Sequence, residues 1–374
     1  MNLGIEGMGW VTPFGSDFAT VWDRLLKGET ATAESVSSPL GRAYPVFPVP
    51  AEAARAPAHP RLRRSSAISR FAVTAGLAAL KDAGLELDAE GAARTALIFA
   101  VSNGGVVYTK RFYHEVVATG AQAASPLLFP ETVFNAPASH LAAVLGITGA
   151  SYTLVGDGAV GILALKMAED LMANEMLDRC LVVGAEEADW LLCDAYRKWR
   201  LLRTEPPIHP FQRPPHGTIL SEGAGAVVLS RTGDVRLEKI AAGTNFRTQR
   251  EAPDSVEKIF GELCQSDIDL VVASANGTFI DAAEEAAARR NCPNAKVYAL
   301  KSALGESVGA SSLWQTICGA QCLRTGMVPP SSPQVPALAP ADLRGPTRNG
   351  QFRRAIISVC GLSQQVAGLR LSMN

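Results

Sequence analysis

No stretch of the chain approaches the roughly 20 consecutive apolar residues that span a bilayer, so membrane insertion is not expected. The opening residues MNLGIEGMGWVTPFG lack the basic start and apolar core of a secretion signal and read as a strand and turn. There is no long block of one charge. Formal net charge is −1, pI is near 6.5, and the densest basic stretch, Arg61, Arg63 and Arg64, has no aromatic residue between its members. It reads as a solvated loop, and nothing here would draw the chain to nucleic acid or an anionic membrane. The seven cysteines show neither CxxC nor Cys/His ligand spacing, so no metal site is expected. Their odd number and scatter fit reduced thiols in a cytoplasmic protein, with Cys318 and Cys322 packed on one face of a helix. Gly7 and Gly9 superficially suggest a dinucleotide loop, but the third glycine and the acidic partner are missing, and no cofactor is expected.

What the chain does have is a large core and regular alternation. Its 374 residues are 47% hydrophobic and 19% charged, enough for one big domain or two packed halves. Leu3–Thr12 reads as a strand, Phe18 to Leu25 as an amphipathic helix, and residues 30–66 as an extended surface excursion. Ser69–Ala83 is a predicted helix closed by Gly84, and Thr95–Ser102 a continuous apolar strand of the kind found in sheets covered on both faces. A helix near Pro137–Leu145, a strand at Ser151–Val155, a helix from Gly158 to Asn174 and strands at Arg179–Gly184 and Gly223–Ser230 follow. The second half repeats the pattern at smaller size. Its strands are Val235–Ala241, Leu270–Ala275, Val297–Leu300 and Arg354–Val359; its helices are Ser255–Cys264, Asp281–Arg290 and Ser311–Arg324. Alternating strand and helix implies an α/β fold with mostly parallel sheets covered by helices. The repetition suggests an internal duplication split near residue 232, into 1–232 and 233–374, although no sequence identity between the halves is visible.

The junction Ser151 to Gly161 is a strand, a small-residue turn and a helix. Such a turn places one side chain at a helix N-terminus, where the dipole favours an anion or a thiolate. Its surroundings make it specific. Gly7-Met8-Gly9-Trp10-Val11-Thr12-Pro13-Phe14-Gly15 with Trp22, Leu25 and Gly28 is similar to the opening of β-ketoacyl-ACP synthases of the thiolase superfamily. Ser125 to Pro130 with Asn135 and His140-Leu141 resembles that family's approach to its nucleophile helix, and Gly184-Ala185-Glu186, Pro210-Phe211 and Gly223 to Ala226 resemble the segment after it. Ala275-Asn276-Gly277-Thr278, Lys301-Ser302 with Gly305 and Gly309-Ala310, and the strand at Ser358 keep the family's order, so the resemblance covers essentially the whole chain.

The resemblance implies a thiolase fold: two duplicated βαβ-type halves in five layers, αβαβα, with a site between them and a dimer through the nucleophile-bearing region. It also implies residue roles, and here the chain departs. The family's cysteine nucleophile falls on Gly158, and its two catalytic histidines fall on Asn276 and Glu306. The lysine of the second histidine's motif remains as Lys301, its usual glutamate partner falls on Gln315, and the glycine-rich C-terminal loop reads Cys360 to Gln365. Condensation needs a thiolate to carry the acyl chain and two neutral imidazoles to stabilise the enolate. Glycine offers no nucleophile, a carboxylate at Glu306 would repel an enolate, and only Asn276 could still donate a hydrogen bond.

Asp157, Glu306 and Lys301 are expected to converge in the old pocket. They would form either a relict site sealed by a salt bridge or a new acid/base site, and Asp157 has helix capping as a further role. His140 is expected to be structural and His216 to sit on a surface loop. The resemblance thus implies a catalytically degenerate, chain-length-factor-like subunit that pairs with an intact ketosynthase in fatty acid, polyketide or aryl-polyene biosynthesis, with acyl carrier protein as a further partner. The alternatives are a hydrolase or acyltransferase acting on acyl-ACP thioesters through Asp157, Glu306 and Asn276, and a homodimeric acyl-binding protein without chemistry.

Overall fold

The computed structural model describes residues 3–264, 267–330, 347–348 and 352–373. Ten strands form its main sheet: β1 (Leu3–Val11), β2 (Thr95–Val101), β3 (Ser151–Val155), β4 (Arg179–Glu186), β5 (Gly223–Ser230), β6 (Val235–Asn245), β7 (Leu270–Val272), β8 (Lys296–Tyr298), β9 (Arg354–Cys360) and β10 (Gln365–Met373). Their order is β8-β7-β9-β10-β6-β1-β5-β4-β2-β3. In each half the third strand lies at the outer edge and the first at the inner edge, in the sequence third, second, fourth, fifth, first. The directions repeat as well. β2 runs parallel to β3 and β4, with β5 antiparallel to β4 and β1. β7 runs parallel to β8 and β9, with β10 antiparallel to β9 and β6. The halves join where Leu3–Ile5 pair with Val235–Leu237.

Each half is therefore mixed rather than mostly parallel. β9 and β10 are separated by a short loop with no crossover helix, and so short a link permits only an antiparallel return.

Two helices lie between the halves. Val160–Leu171 touches β2, β4, β6 and β10, and Ser311–Thr325 touches strands of both halves. Every residue of the latter from Ser311 to Ala320 is buried, so along that stretch it has no face toward solvent. Ala67–Asp82 and Ala136–Leu145 cover the first half from outside; Ala252–Leu263 and Ile280–Asn291 cover the second. This is the helix-sheet-helix-sheet-helix layering of the thiolase fold.

Gly7 and Gly9 have a packing role. A Cβ on either would lie 2.2 or 2.3 Å from the carbonyl oxygens of Ala79 and Ala75, so their absence lets β1 press against the Ala67–Asp82 helix. Gly84 follows that helix at φ +66°, as its C′ position requires.

Several elements escape the periodicity reading. The 30–66 excursion contains two strands, Glu34–Ser37 and Ala43–Phe47, which form a small sheet with Leu220–Ser221. Helices at Val106–Thr119 and Trp190–Lys198 and the whole of β10 were also not expected. Cys264 and Cys292 are joined as a disulfide instead of standing reduced, because the Ala252–Leu263 and Ile280–Asn291 helices pack side by side and end next to each other. The other five cysteines, including Cys318 and Cys322, are free and buried. Among the described residues no helix is long and apolar enough to cross a membrane.

Candidate functional site

β3 ends at Val155, and the chain turns through Gly156–Ala159 into the Val160–Leu171 helix, with Gly158 buried at the turn. A Cβ placed on Gly158 would meet Gly361 Cα at 3.5 Å and the Cys360 carbonyl at 3.8 Å, which is ordinary contact. The backbone thus leaves room for a side chain that the residue does not supply.

From the second half, the chain beyond β7 brings in Ser274 and Asn276, and the turn after β8 brings in Lys301 and Glu306. Lys301 Nζ lies 2.8 Å from Glu306 Oε2, with both side chains only 2% exposed. The Asn276 amide donates to the same oxygen at 2.7 Å. Its own Oδ1 accepts from the backbone N–H of Thr278 at 3.2 Å and the Thr278 hydroxyl at 2.8 Å, which fixes the amide's orientation. Lys301 also donates to Ser274 Oγ at 3.1 Å. The backbone holds Glu306 in turn: its N–H donates to the Ile219 carbonyl at 2.9 Å, and its carbonyl accepts from Ser221 at 3.0 Å. Such a pair survives burial because each charge has the other and further hydrogen bonds.

Of the two carboxylates expected beside Lys301, Glu306 is the partner. Asp157 is engaged elsewhere: Oδ2 accepts from Ser363, Gln364 and Gln365 of the C-terminal loop, and Oδ1 from the Ala159 N–H within the turn. It does not take the expected capping role, since Ala159 is the N-cap of the Val160–Leu171 helix and no side chain caps it. Gln315 does not take the glutamate's place beside Lys301; its amide donates to the carbonyls of Ala273 at 2.9 Å and Ser358 at 3.0 Å. His140 is structural, its Nε2 lying 2.6 Å from Glu131 Oε1 in a largely buried pair. His216 is exposed.

A cleft of about 770 Å³ opens above this region, lined among others by Asp157, Tyr196, Trp199, Phe246, Arg247 and Leu362. Gly158, Asn276, Lys301 and Glu306 are not in its lining. Tyr196 comes from the Trp190–Lys198 helix and Trp199 caps its C-terminus; the helix's charged Asp194, Arg197 and Lys198 dilute its apolar signal. Ser274 lies two residues past β7 in a short apolar stretch with nothing to mark it.

Buried carboxyls surround the site. Burial pushes Glu186 up to about 8, against hydrogen bonds from the Ser102 and Asn103 N–H groups. Burial likewise pushes Glu187 and Glu284 up to about 7, and Asp281 up to about 6. Asp281 accepts from the backbone of Phe211, Asn276 and Gly277 at 2.7, 3.0 and 2.8 Å, and so fixes the loop that carries Asn276.

A carboxyl whose folded pKa is raised adds stability below its unfolded value near 4 to 4.5, and that stability is lost as pH rises through the folded value. The opposite class, which includes Glu238 and Asp178 with lowered values, acts only at more acid pH. His209, held low chiefly by burial, opposes the trend weakly near neutrality. The protein is therefore expected to gain on the order of a few kcal/mol of stability between pH 8.5 and pH 6. Thermal melts across that range check this, and a flat or inverted profile would contradict it.

Comparison with known proteins agrees with the fold. The β-ketoacyl synthase N-terminal domain model matches residues 2–234 and the β-ketoacyl synthase C-terminal domain model residues 247–334. The chain belongs to the β-ketoacyl synthase family. Among curated relatives, nodulation protein E of Rhizobium leguminosarum bv. trifolii is 25% identical over 361 residues, covering 88% of each protein. Among solved structures, the ishigamide ketosynthase/chain length factor superposes with a TM-score of 0.87 at 20% identity, covering 100% of this chain and 99% of that one. A type II polyketide ketosynthase chain solved in complex with its acyl-carrier protein, AntDE:AntF, gives a TM-score of 0.83 at 15% identity with the same coverage. At such identities these structures speak for the fold alone.

Proposed function

We propose that the protein is a non-condensing member of its family, a chain-length-factor-like subunit that completes a dimer with an intact ketosynthase and meets acyl carrier protein at the cleft. The observation that carries this reading is the Lys301–Glu306–Asn276 network. Where condensation would need two neutral imidazoles, the chain has a sealed ion pair and an amide already committed to it, beside a glycine at 158. The ammonium and the amide both already bond to the carboxylate, and that carboxylate would oppose enolate formation. A hydrolase built from Asp157, Glu306 and Asn276 is less well supported, because Asp157 is spent on the C-terminal loop. The same reading divides the chain near residue 232, in the turn between β5 and β6 where one strand order ends and its repeat begins, and assigns the protein to the cytoplasm.

The partner surface would lie along β3, the outermost strand of its half, whose free edge can accept a strand from another chain. On it Val155 is 53% exposed and Tyr152 is exposed, and from the preceding segment Phe129 is 57% exposed with Leu127, Val133 and Phe134 also exposed; Leu128 is buried in the chain's own core. So large an apolar patch marks a surface made to be covered.

Co-expression with a ketosynthase that carries the complete Cys-His-His set should yield a one-to-one complex on size-exclusion chromatography. Phe129→Asp combined with Val155→Asp should weaken it by at least about tenfold. A protein that stays monomeric at micromolar concentration, alone and with its candidate partner, would overturn the proposal.

A further inference from the structure

The loop between β9 and β10 aims a cluster of donors at one atom. The backbone N–H groups of Ser363, Gln364 and Gln365 reach Oδ2 of Asp157 at 3.3, 3.1 and 3.1 Å, and the Ser363 hydroxyl reaches it at 2.8 Å. The tie is reciprocal, since the Asp157 N–H donates to Gln365 Oε1 at 3.3 Å. Within the loop the Gly361 N–H donates to the Gln365 carbonyl at 2.7 Å. A Cβ on Gly361 would lie 2.0 Å from Asp157 Oδ2, so only glycine lets the loop close this tightly over the carboxylate. Successive N–H groups converging on one point form an anion-binding concavity, and hydrogen bonds to an ionised acceptor are the strong ones. At its other end the loop is held through Cys360, whose N–H donates to Ser274 Oγ at 3.0 Å; that same Oγ accepts from Lys301. Leu362 lies between the two anchors and lines the cleft.

We propose that residues 361–365 form an anion nest whose resident ligand is the chain's own Asp157 carboxylate, and that Asp157 is a positioning residue holding the loop and Leu362 shut across the floor of the cleft. Asp157 thereby acts as an internal plug. The ligand class that a vacated nest accepts is a small carboxylate, because that is the group its donors already surround. Loop position, and with it access from the cleft to the turn at Gly158, is set by a side chain one residue before that glycine.

Hydrogen exchange followed by mass spectrometry tests the proposal. In Asp157→Ala, exchange in segment 361–365 should accelerate by at least about tenfold while β4 stays protected. Formate or acetate should restore the protection, and chloride at equal ionic strength should not. Asp157→Asn keeps the side chain's size and one acceptor oxygen, so it should show an intermediate acceleration and serves if the alanine variant does not fold. Unchanged exchange in the variants that fold, or an acceleration that formate and acetate leave untouched, would overturn the proposal. A general loss of packing would not respond to a small carboxylate, which separates the plug from a merely structural role.

Discussion

Glu306→Ala should lose about 3–5 kcal/mol of stability, the usual consequence of removing one member of a buried ion pair. The substitution strands the Lys301 ammonium at a position 2% exposed, with Ser274 Oγ as its remaining hydrogen-bond partner, and leaves the Asn276 amide without its acceptor. Replacing both charges, as in Lys301→Met with Glu306→Leu, should be far milder than the sum of the single changes, because no charge is then left unpaired. Urea denaturation of the two single variants and the double variant measures this coupling. If the single losses simply add, the two residues do not act as a pair. If the pair were a catalytic acid and base, Glu306→Ala would instead abolish thioester turnover with a smaller change in stability.

The second large effect concerns position 158. Gly158→Cys should convert an unreactive turn into one that carries a covalent label, since a Cβ there meets only ordinary contacts and the thiol would sit at the start of the Val160–Leu171 helix. Alkylation by iodoacetamide at that residue, located by peptide mapping, should be slow while Asp157 holds the loop shut and should reach stoichiometry when Asp157→Ala is added to the variant. The buried native thiols should be slow by comparison, because burial raises Cys180 and Cys193 to about 12 and Cys360 well above its ordinary value. Condensation should still be absent from the variant, as the groups that would stabilise an enolate remain Asn276 and Glu306.

Much of this site was legible in the sequence because its elements announce themselves locally. The strand Ser151–Val155, the small-residue turn and the following helix need only local pattern to be read, and they place Gly158. Lys301 and Glu306 stand five residues apart across a glycine turn, so their pairing needs no distant part of the chain. Asp157 was misassigned for the opposite reason. Its partners, Ser363 to Gln365, are reached only through the antiparallel return of β10, and β10 is buried along nearly its whole length on both faces, so it lacks the alternation that betrays a strand. The Val106–Thr119 helix has no buried residue and so presents no apolar stripe to find. The Cys264–Cys292 contact depends on how two helices end beside each other, which no spacing in the sequence records.

Intact-mass spectrometry of the purified chain after incubation with acyl-ACP and malonyl-ACP bears most directly on the proposal that the chain does not condense. The expected result is an unchanged mass and no condensation product. A stoichiometric acyl adduct on the unaltered chain would contradict the assignment of Gly158 to the nucleophile's position, or reveal a nucleophile elsewhere.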